Sequence, residues 1–267
     1  MILVSVFTSD VFLDAFSPVI NATPVYGKGI WIRHGRFINK AEGSAWNLFV
    51  KNPNVGDMID VAKEHGCWFL RFTAAEPVED EHLGPPTPSP TLLTLPDFNP
   101  NKEVRWSVRK AEKAGFEVEP CEAAEIQPIL DQLWTRLGRG IPKIFYETLE
   151  NAGFGKALVA RMGDQACSGL FYLTDEDNVW YMYSLATDPS FKSSQVTSFL
   201  VYSFIRKAFE GGAPYVDLCG SSIPSIAEFK KQFASKAHYR PMYEVSLNPL
   251  YPIGRRAINI LRALRGS

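Results

Sequence analysis

The sequence predicts an α+β fold: a mixed, mainly antiparallel sheet with helices on both faces, preceded by a shorter, truncated α/β unit. Three features carry that expectation. Strand-like runs at 157–161, 165–173 and 179–186 are joined by turns at Gly163-Asp164 and 175–178, whose residues suit tight reversal. A long helical pattern over 193–210 ends at Gly211-Gly212 and feeds a buried strand at 215–218, the order of a parallel crossover. Seven prolines fall between Pro77 and Pro100, and proline removes donors and fixes φ, so this segment reads as extended and mostly irregular.

The elements follow in order. Strands are expected at 29–33 and 46–50, a helix at 55–65, then Gly66 as its end and a buried strand at 67–73. A unit of about 75 residues is short for its own core, so it is expected to pack on a neighbour. Within the proline-rich segment, 91–95 reads as a short strand. Beyond it, a helix over 102–114 stops at Gly115, and a strand at 116–120 follows. A helix over 123–137 turns Ile126, Ile129, Leu130, Leu133 and Trp134 inward. The next, 142–152, has proline in its first turn. After the three strands and the crossover come a short helix opening near Pro224 and a strand at 239–247. The expected division is 1–76, a linker at 77–100, a main domain at 101–247 and a C-terminal helix at 248–267.

Composition narrows the function classes. With 46% hydrophobic and 21% charged residues, the chain matches a packed globular protein. Cys67, Cys121, Cys167 and Cys219 lie far apart without a CxxC pair, and the four histidines are scattered, so neither a disulfide framework nor a metal site is expected. Cys219 has no histidine partner in sequence and reads as a core thiol. The apolar start, 1–7, has no basic residue before Lys28 and is followed by Asp10 and Asp14, unlike a signal peptide. A cytoplasmic location is therefore expected. The net charge of −1 conceals polarity: from Lys230 onward eight basic residues face only Glu244. Such an end suits an anionic surface.

The most informative stretch is Val216-Asp-Leu-Cys-Gly-Ser-Ser-Ile-Pro-Ser-Ile-Ala-Glu-Phe-Lys-Lys-Gln-Phe233. It reads as a strand, a Gly-Ser-Ser turn and a helix with Ile226, Phe229 and Phe233 at helical spacing. Lys230 stands beside that apolar face. Alone, it reads as a solvated lysine on an amphipathic helix more readily than as a cation aimed at the turn.

Together with Arg105-Trp-Ser-Val-Arg-Lys-Ala-Glu-Lys-Ala-Gly115, Tyr215-Val-Asp-Leu-Cys-Gly220 and Glu228-Phe-Lys-Lys-Gln-Phe233, the order of elements resembles the GNAT acyltransferase core, and within it the FemAB-like branch of tandem GNAT domains. The resemblance runs from about Arg105 to Tyr243, with weaker support in the truncated first unit. It implies transfer of an acyl or aminoacyl group to an amine of a cell-envelope or peptide acceptor, with peptidoglycan precursors the best-studied acceptors. It also implies that Lys230 stabilises the oxyanion. Such a site needs donors placed for the tetrahedral oxygen. Tyr183, mid-strand, is the candidate proton donor, or simply a packing residue. Asp217, Ser221, Ser222 and Phe229 surround the turn and are substrate-binding candidates. Arg105 and Arg109 share a helix face with Lys113 and are candidates for a phosphate, or else solvated residues paired with Glu103 and Glu112.

The donor site departs from the family. Coenzyme A-dependent members carry a glycine-rich loop after the fourth strand, whereas this chain has Asp188-Pro-Ser-Phe-Lys-Ser-Ser-Gln-Val-Thr-Ser198, without glycine. Lys192, Ser193 and Ser194 remain as phosphate contacts. No tightly bound cofactor is expected; the donor is aminoacyl-tRNA, which the missing glycines favour, or acyl-CoA on a degenerate loop. A non-catalytic module that binds tRNA or membrane stays open as a third reading. The acceptor is an amine-bearing small molecule or a lipid-linked one. The stripe Ile253, Ala257, Ile260, Leu261 and Leu264, with Arg255, Arg256 and Arg262 elsewhere, reads as a docked helix or as a peripheral contact with the inner face of a membrane.

Overall fold

Residues 6–35, 38–43, 49–136, 138, 141–220, 222–253 and 255–256 are described by the computed structural model. They fall into two units, Met1–Ser89 with Arg240–Ser267, and Pro90–Tyr239. This division differs from the expected one at both ends. The proline-rich segment is shared, and the chain's last strand crosses from the second unit into the first.

The first unit opens with a 3-10 turn, Val6–Thr8, and helix α1, Asp10–Ile20. Ser9 caps it by accepting from the Phe12 amide at 3.2 Å, and Asn21 closes it in the left-handed conformation. Phe12, Leu13, Phe16 and Ile20 form its buried face. This helix is not among the predicted elements. Its Pro18 breaks the pattern in sequence, yet so near the C-terminus it costs little helix.

The strands β1 (Thr23–Val25), β2 (Ile30–Arg33), β3 (Asn39–Glu42) and β4 (Cys67–Thr73) follow, with α2 (Val55–Glu64) before β4. β1–β2 and β2–β3 are antiparallel, and β3–β4 is parallel. The last strand, β11 (Lys236–Ser246), pairs antiparallel with β4 through Met242–Ser246. Val55, Met58, Ile59 and Ala62 of α2 press onto Ile30, Ile32, Leu70, Phe72 and Tyr243. Of the predicted strand at 46–50, 46–48 lie outside the described residues, and Val50 makes a single parallel bridge to Ala74.

In the second unit the strands are β5 (Thr87–Thr94), β6 (Phe116–Cys121), β7 (Gly155–Met162), β8 (Gln165–Thr174), β9 (Trp180–Thr187) and β10 (Val216–Asp217). Their order in the sheet is β5-β10-β9-β8-β7-β6. All neighbours run antiparallel except β10 and β9. The expected mixed, mainly antiparallel sheet is therefore present. The proline-rich segment is less irregular than predicted, since β5 begins inside it.

Helices cover both faces. On one lie α3 (Lys102–Lys113) and α6 (Val196–Glu210), whose Val104, Val108, Leu200 and Phe204 pack on Leu158, Leu170, Tyr172 and Met182. On the other lie α4 (Ala123–Arg136) and α5 (Lys143–Asn151). There Tyr146 meets Phe171 edge-on with ring centroids 4.8 Å apart. The short α7 (Pro224–Lys231) follows β10. Successive residues of β7 and β8 thus feed opposite cores, which explains why both strands are buried almost throughout.

Gly169 on β8 sets how close α4 can come. A Cβ there would stand 2.6 Å from the Ile126 Cβ, a separation that no real pair of atoms tolerates. Gly169→Ala is expected to push α4 from the sheet and to lower stability by about 1–3 kcal/mol, as overpacking does. Urea unfolding followed by circular dichroism measures it; an unchanged midpoint would show that α4 yields freely.

Candidate active site

The site begins where β10 stops. Val216 and Asp217 pair with Trp180 and Tyr181 of β9 on one side and with Thr94 and Leu93 of β5 on the other. After Asp217 the chain turns away, with Cys219 at φ +58°, a left-handed conformation that non-glycine residues adopt sparingly. From Met182 onward β9 consequently has no strand on that side. β9 also bulges there: Phe171 opposes Ser184 and Tyr172 opposes Met182, which leaves Tyr183 as the extra residue.

A cavity of about 450 Å³ occupies the gap. Met182, Tyr183, Leu185, Ala186 and Thr187 of β9 form one wall, and Ile226, Phe229 and Lys230 of α7 another. Gln132, Leu133 and Arg136 of α4, with Pro189, Lys192 and Thr197, complete it. A second hollow of about 490 Å³ lies beyond Phe229, Lys192 and Thr197, between Trp106 of α3 and the start of α6.

Lys230 is the central residue. The buried positions of α7 are Ala227 and Lys230, three apart, so the lysine lies on the helix's inner face instead of beside it. Ile226 is correspondingly exposed at the cavity, while Phe233 lies past the helix end, fully buried and edge-on to Phe229 at 5.3 Å. The Lys230 ammonium donates to the Cys219 carbonyl at 3.0 Å and to the Gly220 carbonyl at 2.8 Å. An ammonium has three donors, and the third has no acceptor among the described residues.

The turn that holds it is itself clamped. Asp217, 1% exposed, accepts from the Thr91 hydroxyl at 2.6 Å and from the Cys219 amide at 2.7 Å. Burial lowers the Lys230 pKa from the usual lysine value, and the nearby Asp217 carboxylate opposes that shift. Burial also holds the Tyr183 phenol well above its ordinary range, so it stays a proton donor and not a base.

The predicted site residues separate into two groups. Lys230, Tyr183, Phe229 and Lys192 line the one cavity. The others do not. Asp217 supports the turn from beneath, without reaching the cavity wall. Arg105 donates to the Asn99 side chain at 2.7 Å and to the Pro100 carbonyl at 2.9 Å, fastening the proline-rich segment to α3. Arg109 and Ser222 are exposed outside the lining, and Ser221 lies outside the described residues. Ser193 is exposed, while Ser194 donates to the Phe191 carbonyl at 2.5 Å. Arg136 was not expected. In sequence it reads as a basic residue in the last turn of a helix, and only the packing of α4 brings it to the cavity.

The loop without glycine has its own solution. Asp188 caps a 3-10 turn, Pro189–Phe191, by accepting from the Ser190 amide at 2.8 Å. Gln195 supplies the left-handed residue, at φ +70°, and its side chain accepts from Ser107 at 3.0 Å. α6 therefore starts three residues later than predicted. Its first-turn amides at Thr197 and Ser198 have no intrahelical acceptor.

Among the described residues, no group of histidines, cysteines and carboxylates is placed to hold a metal ion. None of the described helices is long and apolar enough to cross a membrane.

Residues 101–231 match the family model of the acetyltransferase (GNAT) domain. No curated protein matches the sequence. Among solved structures the chain is similar to FemX, with a TM-score of 0.67 at 14% identity over 93% of this chain and 94% of that one. It is also similar to L-PGS from Bacillus licheniformis, with a TM-score of 0.60 at 10% identity over 95% and 97% of the two chains. A third is the C-terminal domain of a protein assigned as a lysylphosphatidylglycerol synthetase from Agrobacterium fabrum: TM-score 0.62, 11% identity, covering 88% and 89%. At such identities the likeness to solved structures is one of fold. Residues 101–231 thus form an acetyltransferase (GNAT) domain, on the fold that FemX shares.

Proposed function

We propose that the second unit transfers an acyl group from a phosphate-bearing carrier to an amine, with Lys230 stabilising the oxyanion. One observation carries the reading: a buried ammonium on the wall of a cavity, held by two carbonyls, with its third donor uncommitted among the described residues. A preorganised cation in a water-poor site strengthens as negative charge develops on the attacked carbonyl, and needs no rearrangement to act. In the transfer the amine nitrogen joins the acyl carbon, the carrier's C–S or C–O bond breaks, and the amine proton leaves with the carrier. Tyr183, a phenol at the bulge of β9, is the group we assign to pass that proton.

Lys192, together with the open amides of α6, is assigned to the carrier's phosphate. Aminoacyl-tRNA and acyl-CoA both carry such a group. For the acceptor, the FemAB-like resemblance supports an amine of a cell-envelope or peptide compound, and the name of the Agrobacterium protein points to lipid-linked chemistry. Peripheral contact with a membrane through the C-terminal segment is part of this proposal. Leu250 and Ile253 are exposed there at 60% and 67%, beside Arg256. Arg255 is ion-paired with Glu244, and 257–267 lie outside the described residues.

Lys230→Met is expected to lower kcat by about 10²–10³, the cost of an oxyanion donor. Thiol release from acyl-CoA thioesters with hydroxylamine as the acceptor measures it, and circular dichroism checks the fold. A rate equal to that of the natural chain would end the assignment.

The pH dependence has a definite sign. Lys230 must be charged to act, and its lowered pKa means the proton is lost before the usual lysine value of 10.5. Activity should therefore fall as pH rises, at a midpoint below that value. In Lys230→Arg the residual activity should lack this alkaline limb, because a guanidinium keeps its proton. An unchanged limb in that variant would assign the titration to another group.

A further inference from the structure

The side chains lining the cavity have an unusual charge balance. Arg136, Lys192 and Lys230 bring three cationic groups to it, and no carboxylate lines it among the described residues. Asp188, between the lining residues Thr187 and Pro189, already accepts from the Ser190 amide and from the Gln132 side chain, and Asp217 is buried beneath the Cys219 turn. Glu103 belongs to the second hollow, on the far side of Phe229 and Lys192. Neither Arg136 nor Lys192 is in an ion pair among the described residues. The remaining lining is mostly apolar, with Leu133, Met182, Leu185, Ala186, Ile226 and Phe229 around the cations.

We infer that this cavity selects an apolar acyl group without an ammonium, delivered on an anionic carrier, and rejects aminoacyl groups with a free amine. The inference rests on the acyl-transfer reading and narrows its donor. A second positive charge entering beside three fixed cations is repelled, and low-dielectric walls focus that repulsion. An ammonium also needs acceptors. Two hydroxyls of the lining, Thr187 and Thr197, are bonded to each other at 2.6 Å, and Asp188 at the rim is already taken up by Ser190 and Gln132. An alkyl chain meets no such penalty, and the carrier's phosphate gains from Arg136 and Lys192 at the mouth. The same field favours the neutral form of an approaching acceptor amine, which is the nucleophilic form.

The test uses a matched pair of probes, the octanoyl and 8-aminooctanoyl thioesters of 4′-phosphopantetheine, which differ only in the terminal ammonium. Their affinities for the full chain are measured by calorimetry at neutral pH and low salt. The octanoyl probe should bind about tenfold tighter or better, as a like charge at cavity distance demands. Arg136→Glu, at an exposed position where folding is not at stake, should bring the two affinities within about threefold of each other. Lys192→Glu serves as the second charge reversal, with the same direction expected. Equal or tighter binding of the amino probe, or no saturable binding of either, overturns the inference. Because the readout is binding, it separates from the catalytic reading. A natural chain that prefers octanoyl in binding yet transfers no acyl group to any amine sinks the proposed function and leaves this selectivity standing, whereas efficient aminoacyl transfer does the reverse.

Discussion

The ammonium of Lys230 is the constraint around which the second unit is arranged. A charge taken out of water costs several kcal/mol unless it finds partners, and no carboxylate touches this one among the described residues. Its partners are two backbone carbonyls of a turn. Carbonyls point inward together only where the chain departs from extended geometry, so Cys219 must hold a left-handed conformation. That conformation in turn is held by Asp217, which accepts from the Cys219 amide and from Thr91 on the neighbouring strand. Removing the lysine, the carboxylate or the turn would leave the other two with buried polar groups unmatched.

The same departure opens the site. Because β10 is spent after two paired residues, β9 runs on without a neighbour, and the gap becomes a cavity. The bulge at Tyr183 re-aims β9 along that edge. α4 closes a further side, and Gly169 lets it approach the sheet closely enough to bring Arg136 within reach. Sheet geometry thus supplies the room, and two helices with the loop before α6 supply the charge.

Much of this architecture was legible in the chain. The helices over 102–114 and 142–152 and the three antiparallel strands stand close to where their periodicity places them, since each buries one face on a sheet that demands it. Lys230 was legible through its motif. Elements governed by caps and distant contacts were less so. α1 is specified by Ser9 and Asn21 at its ends against a proline within it, and periodicity alone does not weigh those terms. Arg105 and Asp217 have the right chemistry for a ligand, yet their hydrogen bonds go to the protein itself, and Arg109 is exposed away from the cavity.

What the sequence determined by itself is the order of elements, the class of sheet and the lysine on a short helix after a buried strand, because these follow from local spacing and side-chain type. The tertiary structure decided which of the candidate residues share one space. It set Arg136 beside Lys192 and Lys230, residues far from it in the chain, and drew Asp217 beneath the turn instead of into the cavity. Spacing along a chain carries no record of where a loop reverses or how closely a helix lies on a sheet. The charge balance of a cavity, and with it the ligand that it admits, exists only once those distances are fixed.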